Sequence, residues 1–99
     1  MKIQVQTIHF DADQKLIDFV EKKVEKLSTF HDKIVSCEVF LKLNKDAQNE
    51  NKIAEIKVNI PGNSLFTKEN DKSFEAAVDQ AVETLKGQLK KAKEKQLVH

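Results

Sequence analysis

The 99-residue chain has one cysteine, one proline, two glycines, no tryptophan and no tyrosine, and none of its 17 basic residues is an arginine. Each shortage removes a class of function. A lone Cys37 leaves no disulfide framework and no thiolate cage for a metal. The three histidines, His9, His31 and His99, are scattered without ligand spacing, so no metal and no cofactor is expected. Gly62 and Gly87 are too few for a glycine-rich phosphate loop. No apolar run approaches the roughly 18–20 residues of a membrane helix. The opening MKIQVQTIHF alternates polar and apolar residues, unlike a signal peptide, and the expectation is a cytoplasmic protein without a membrane role. Most of the six phenylalanines fall in apolar periodic segments and read as core, so a base-stacking aromatic platform is not expected.

What remains is a charge-rich, foldable chain. Charged residues make up 33% and hydrophobic ones 39%, which suits one folded domain over a disordered tail. Two independent cores would each be too small at this length. Lysines outnumber acids by 17 to 16, so any phosphate-binding surface must come from segregated charge and not from the total.

Residues 2–8 alternate with period two and predict a strand. Asp11 and Gln14 have the spacing of a capping box, opening one amphipathic helix over 12–30 with Leu16, Phe19, Val20, Val24 and Leu27 inward. Residues 34–43 alternate again, with Val35, Cys37, Val39, Leu41 and Leu43 on one face. A polar loop over 44–51 leads to a strand over 53–60, the two strands forming a hairpin. Pro61, Gly62 and Asn63 predict a turn, and 65–67 a short strand. Asn70 or Asp71 is the expected cap of a second helix, whose stripe is Phe74, Ala77, Val78, Ala81, Val82, Leu85, Leu89 and Ala92. The expected fold is α+β, ordered β-α-β-β-β-α, with both helices packed on one face of a four-stranded sheet.

The charges are sorted along both helices. On the first, Lys15, Lys22 and Lys26 share a line, with Lys23 between that line and the core; Asp18, Glu21 and Glu25 take the other flank. On the second, Glu75, Asp79 and Glu83 form a stripe that Lys86, Lys90 and Lys93 continue, with Lys91 and Lys95 elsewhere around the basic end. Acids early and lysines late are what the helix dipole favours, so solvated faces explain part of the pattern without any function. The functional reading is a surface of Lys22, Lys23, Lys26, Lys86, Lys90, Lys91 and Lys93 that contacts RNA phosphates by shape, without reading bases. An alternative is a small protein-interaction module with no RNA role, using the acidic flank and the strand edges. An enzyme built on His9 and Cys37 lacks an elbow motif and an anchoring acid, so no enzyme and no small-molecule substrate are expected.

The chain resembles the ribosome hibernation-promoting factor family, also described as ribosome-associated translation inhibitors. The likeness runs through His9-Phe10, the helix from Lys15 to Leu27, Cys37-Glu38-Val39-Phe40-Leu41 and Ala54-Glu55-Ile56-Lys57-Val58. It continues in Pro61-Gly62, Ser73-Phe74-Glu75-Ala76-Ala77-Val78-Asp79 and Leu85-Lys86-Gly87-Gln88-Leu89-Lys90-Lys91. The resemblance implies the same β-α-β-β-β-α fold. It also implies binding to the small ribosomal subunit and its rRNA, in the channel used by mRNA and tRNA anticodon ends. Translation would be blocked and idle ribosomes preserved under stress or in stationary phase. Lys23, Lys26 and Lys91 match basic positions of the family, whereas Thr84 and Gly87 stand where Lys or Arg is frequent. Long relatives carry a second domain that dimerises ribosomes. This chain resembles a short form: one ribosome-binding domain over 1–99, without that second domain and monomeric when free.

Overall fold

A computed structural model describes residues 1–45 and 51–97, with side chains as far as Lys95. Positions 46–50 of the expected loop and His99 lie outside the described residues. The order is β1 (Lys2–Ile8), α1 (Gln14–Glu25), a 3-10 turn (Lys26–Thr29), β2 (Ser36–Leu43), β3 (Lys52–Ile60), β4 (Asn63–Asp71) and α2 (Phe74–Leu97). The β-α-β-β-β-α sequence is as expected, and the four strands lie in the spatial order β1-β2-β3-β4. β1 is parallel to β2, a pairing that needs a crossover, and α1 supplies it. β2, β3 and β4 form an antiparallel meander.

Period-two burial shows which sheet face the helices cover. Cys37, Val39 and Leu41 of β2 and Ala54, Ile56 and Val58 of β3 are fully buried. They share one core with Val20 and Val24 of α1 and with Ala77, Val78, Ala81, Leu85 and Leu89 of α2. Both helices therefore pack on the same side. Phe10 stacks on Phe74 with ring centroids 4.5 Å apart, joining the approach to α1 to the first turn of α2.

Several boundaries differ from the sequence reading, each for a local reason. The N-cap of α1 is Asp13, whose Oδ1 accepts from the Leu16 amide at 2.9 Å; Gln14 is already helical and donates to Asp18. The α-helix stops at Glu25 instead of reaching Phe30. Ser28 Oγ and Thr29 Oγ1 donate to the carbonyls of Glu25 and Lys26, and side-chain bonds of this kind compete with a regular helical ladder. Val35 is 59% exposed and not part of the inward face. It precedes β2, with its backbone bonded to Asn59 and Lys2.

β4 (Asn63–Asp71) is far longer than the short strand expected at 65–67. Its polar half is held by main-chain pairing with β3, Lys68 opposite Glu55 and Asp71 opposite Lys52. Asn70 and Asp71 thus belong to a strand and do not cap α2. The cap is Ser73, whose Oγ accepts from the Ala76 amide at 3.1 Å, while Asp71 receives the Gln80 side chain. Pro61 and Gly62 form the expected turn between the paired residues Ile60 and Asn63. Gly62 has φ +76°, which a type II turn requires at its third position.

The phenylalanines divide. Phe10, Phe19, Phe30 and Phe74 belong to the core or pack against it. Phe40 and Phe66 do not: they lie on the opposite face of the sheet, and Phe66 is 54% exposed.

Gly87 lies in the middle of α2, and a Cβ there would meet nothing within 4 Å. Gly87→Ala is therefore expected to stabilise the fold by about 1 kcal/mol. Thermal unfolding checks this; an unchanged or lower melting temperature contradicts it.

Candidate nucleic-acid interface

The basic edges of the two helices meet across one seam. Lys23 lies on the core-facing shoulder of α1, and its Nζ bridges to Asp79 of α2 at 3.1 Å. The same ammonium lies 5.6 Å from the Phe19 ring centroid. Above this pair opens a groove of about 470 Å³ lined by Lys23, Lys26, Thr29, Phe30, Glu83 and Lys86, with Asp79 and Val82. A second concavity of the same size, lined by Phe19, Lys22, Glu25 and again Lys23, Lys26 and Thr29, adjoins it on the α1 side.

Phe30 organises the other wall. Lys86 and Lys90 stand one helical turn apart on α2, with ammonium groups 5.0 and 5.4 Å from the centroid of the Phe30 ring. The negative ring face attracts both cations. Phe30 is half-buried against the core, so it ties two mobile lysines to a rigid base. The early end of the 3-10 turn matters here, because Phe30 caps it, with its amide bonded to the Leu27 carbonyl.

Of the seven lysines singled out from the sequence, five converge. Lys22, Lys23, Lys26 and Lys86 line the two concavities, and Lys90 joins them through Phe30. Against them stand Glu25, Asp79 and Glu83, so the walls are net positive by one, and by two with Lys90. Lys91 and Lys93 are exposed farther along α2 and line neither concavity. Sequence reasoning missed Phe30 as a lysine support and Asp79 as the partner of Lys23. The i, i+4 pair Lys86/Lys90 was visible, but only tertiary packing brings a ring beneath it.

Such a surface has the chemistry to accept phosphate oxygens. Ammonium groups on two rigid elements present diffuse positive charge and flexible donors, without the bidentate fork of arginine. They recognise backbone geometry and not base identity.

The nucleophile–base pairing weighed from the sequence fails on distance. Cys37 pairs with Ile3 and Lys42 with Ile8, so Cys37 and the approach to His9 lie at opposite ends of the parallel pair. Five residues of strand separate Ile3 from Ile8, roughly 16 Å. Cys37 is fully buried, 3.5 Å from the Met1 sulfur. Burial pushes its thiol up to about 11, with the N-terminal ammonium pulling weakly the other way. At pH 8 Cys37 is expected to alkylate about 100-fold or more slowly than a free thiol; mass spectrometry after iodoacetamide treatment checks this, and rapid labelling contradicts it. His31 is 1% exposed, with Nδ1 accepting from the Lys33 amide. Among the described residues no group of three His, Cys, Asp or Glu could hold a metal ion. No helix among them is long and apolar enough to cross a membrane.

Comparison with known proteins gives this arrangement a family. Residues 3–97 match the family described as Sigma 54 modulation protein / S30EA ribosomal protein. A Ribosome hibernation promoting factor of Pseudomonas putida is 31% identical over 97% of this chain and 90% of its own length. The fold superimposes on the N-terminal domain of Thermus thermophilus Protein Y with TM-score 0.79 and 32% identity, covering 92% of this chain and 98% of that one. It also superimposes on a ribosomal subunit interface protein from Coxiella burnetii with TM-score 0.84 and 26% identity, covering 95% and 99%. The chain belongs to the Sigma 54 modulation protein / S30EA ribosomal protein family, that of the ribosome hibernation promoting factors, whose members are not enzymes.

Proposed function

We propose that this protein is a cytoplasmic ribosome hibernation factor that binds the small ribosomal subunit through the lysine-lined seam between α1 and α2. The observation that carries the reading is the convergence of Lys22, Lys26, Lys86 and Lys90 from two helices, in a chain of this family. The names of its relatives, a ribosome hibernation promoting factor and a ribosomal subunit interface protein, point to the same partner.

The mechanism is occlusion. A rigid wedge, with ammonium groups along one seam, lies against the sugar-phosphate backbone of folded rRNA in the mRNA and tRNA channel of the small subunit. Occupancy excludes messenger and anticodon stems, so translation stops and the idle ribosome is preserved. No covalent step is needed. The free protein acts as a monomer.

Counterion release makes such binding salt-dependent: neutralising about four phosphates costs roughly tenfold in affinity for each doubling of salt. In sucrose gradients with separated subunits, the protein is expected to co-migrate with the small subunit at low salt and to be released at high salt. Absence from the small-subunit fraction at every salt concentration would contradict the proposal. Retention at high salt would point to apolar contacts with a ribosomal protein instead.

A further inference from the structure

The sheet face turned away from the helices carries a second cluster of basic and aromatic side chains. Cross-strand register defines its rows. Phe66 of β4 stands opposite Lys57 of β3, which stands opposite Glu38 of β2. In the next row Lys68 stands opposite Glu55, which stands opposite Phe40. Farther along the same face, Asn59 lies between Ser36 and Ser64, and its amide donates to Ser36 Oγ at 2.9 Å.

Three observations indicate what fits there. First, Phe66 is 54% exposed and contributes nothing to the core, while its cross-strand neighbour Lys57 and its same-face neighbour Lys68 are both exposed. Among the described residues neither lysine has an ion-pair partner. The acid of the adjoining row is occupied, since Glu55 bridges to Lys42 at 2.7 Å. Second, Phe40 and Phe66 are separated by two strand spacings and two residues, about 12 Å. Lys57 and Glu55 lie between them, so the rings form no continuous apolar patch of the kind that a protein interface core requires. Third, with Lys2 and Lys42 included, lysines outnumber glutamates on this face by four to two, which complements a polyanion. An isolated planar ring flanked by free ammonium groups on an open sheet suits one unpaired base, with the phosphates on either side held by lysine.

We propose that the open face of the sheet is a second RNA site, which takes unpaired nucleotides of single-stranded RNA. Phe66 stacks on one base, and Lys57 and Lys68 hold the flanking phosphates. Phe40 offers a second ring at the far side. The site is independent of the helix seam, because the sheet separates the two surfaces. A protein bound by its helices to folded rRNA would still present this face to a single strand.

Fluorescence anisotropy with a labelled oligouridylate, and with an RNA duplex of matching length, tests the proposal. Phe66→Leu removes the ring face and keeps an apolar side chain, whereas Phe66→Tyr keeps the ring. The expected result is roughly tenfold weaker single-strand binding for Phe66→Leu, full affinity for Phe66→Tyr, and no change for either variant on the duplex. Lys57→Glu should reproduce the loss by a different chemistry, which covers the case of a poorly folding Phe66 variant. Lys26→Glu with Lys86→Glu disables the helix seam, and the Phe66 effect should persist in that background. Equal single-strand affinity for Phe66→Leu and the parent overturns the proposal. So does self-association that Phe66→Leu abolishes while RNA binding is unaffected; the face would then bind a second copy of the chain.

Discussion

A variant carrying Lys26→Glu, Lys86→Glu and Lys90→Glu is expected to lose on the order of 100-fold in affinity for the small subunit, each exposed phosphate contact contributing about 1 kcal/mol. Its melting temperature should stay within about 5 °C of the parent, because none of the three lysines is in the core. The choice of positions follows from the structure. Lys23 is left intact because its bridge to Asp79 joins α1 to α2, and reversing it would place two negative charges at that contact. Lys86 and Lys90 lose their attraction to Phe30 in the variant, a small surface effect beside the loss of RNA contacts. Filter binding or gradient co-migration at low salt reads the result. Parent-level affinity would remove the seam from the account, whatever the family does elsewhere.

Leu85→Ala is expected to act through the opposite route. Leu85 is fully buried in α2, in the core shared with β2, β3 and α1. Truncation forfeits the transfer energy of the removed carbons and leaves a cavity that helix and sheet backbones cannot close, a loss of about 3 kcal/mol. In a domain of this size that is roughly 12–25 °C in melting temperature. The binding surface depends on the same helix, since α2 carries Lys86 and Lys90. Affinity should therefore be nearly normal well below the midpoint and disappear with unfolding as the temperature rises. The lysine variant, in contrast, binds poorly at every temperature. Denaturant titration and binding measured across temperature separate the two. A loss below about 1 kcal/mol would contradict the described packing of the core.

Much of the architecture is legible in the chain because each element pairs a clear period with a clear breaker. The stripe Leu16, Phe19, Val20, Val24 and Leu27 can only be helical, and Cys37, Val39 and Leu41 alternate as a strand. Failures occur where backbone pairing, not side-chain pattern, decides. Residues 68–71 are polar, yet they form a strand because β3 offers a free edge. Val35 continues the alternation of β2 but precedes the paired ladder. The expected caps, Asp11 for the first helix and Asn70 or Asp71 for the second, are of capping type, but the chain path puts the caps farther on, at Asp13 and at Ser73.

The candidate interface divides in the same way. Lysine positions around each helix follow from a period of 3.6 and were visible. The partnership of Lys23 with Asp79, and of Lys86 and Lys90 with Phe30, needs the two helices side by side, which no single segment encodes. The reading of most phenylalanines as core does not separate out Phe66, which falls in the short strand expected at 65–67. Strict alternation with Leu65 and Thr67 inward would have turned it out to solvent.

The most direct measurement is photocrosslinking from the floor of the seam. Thr29 is exposed between Lys26 and Phe30, and Thr29→Cys gives one reactive thiol, since Cys37 is buried with a raised pKa. With a photoreactive probe at that position, the expected result is crosslinks to small-subunit rRNA that disappear when mRNA and tRNA fill the channel. Crosslinks confined to ribosomal proteins, or unchanged by a filled channel, would contradict it.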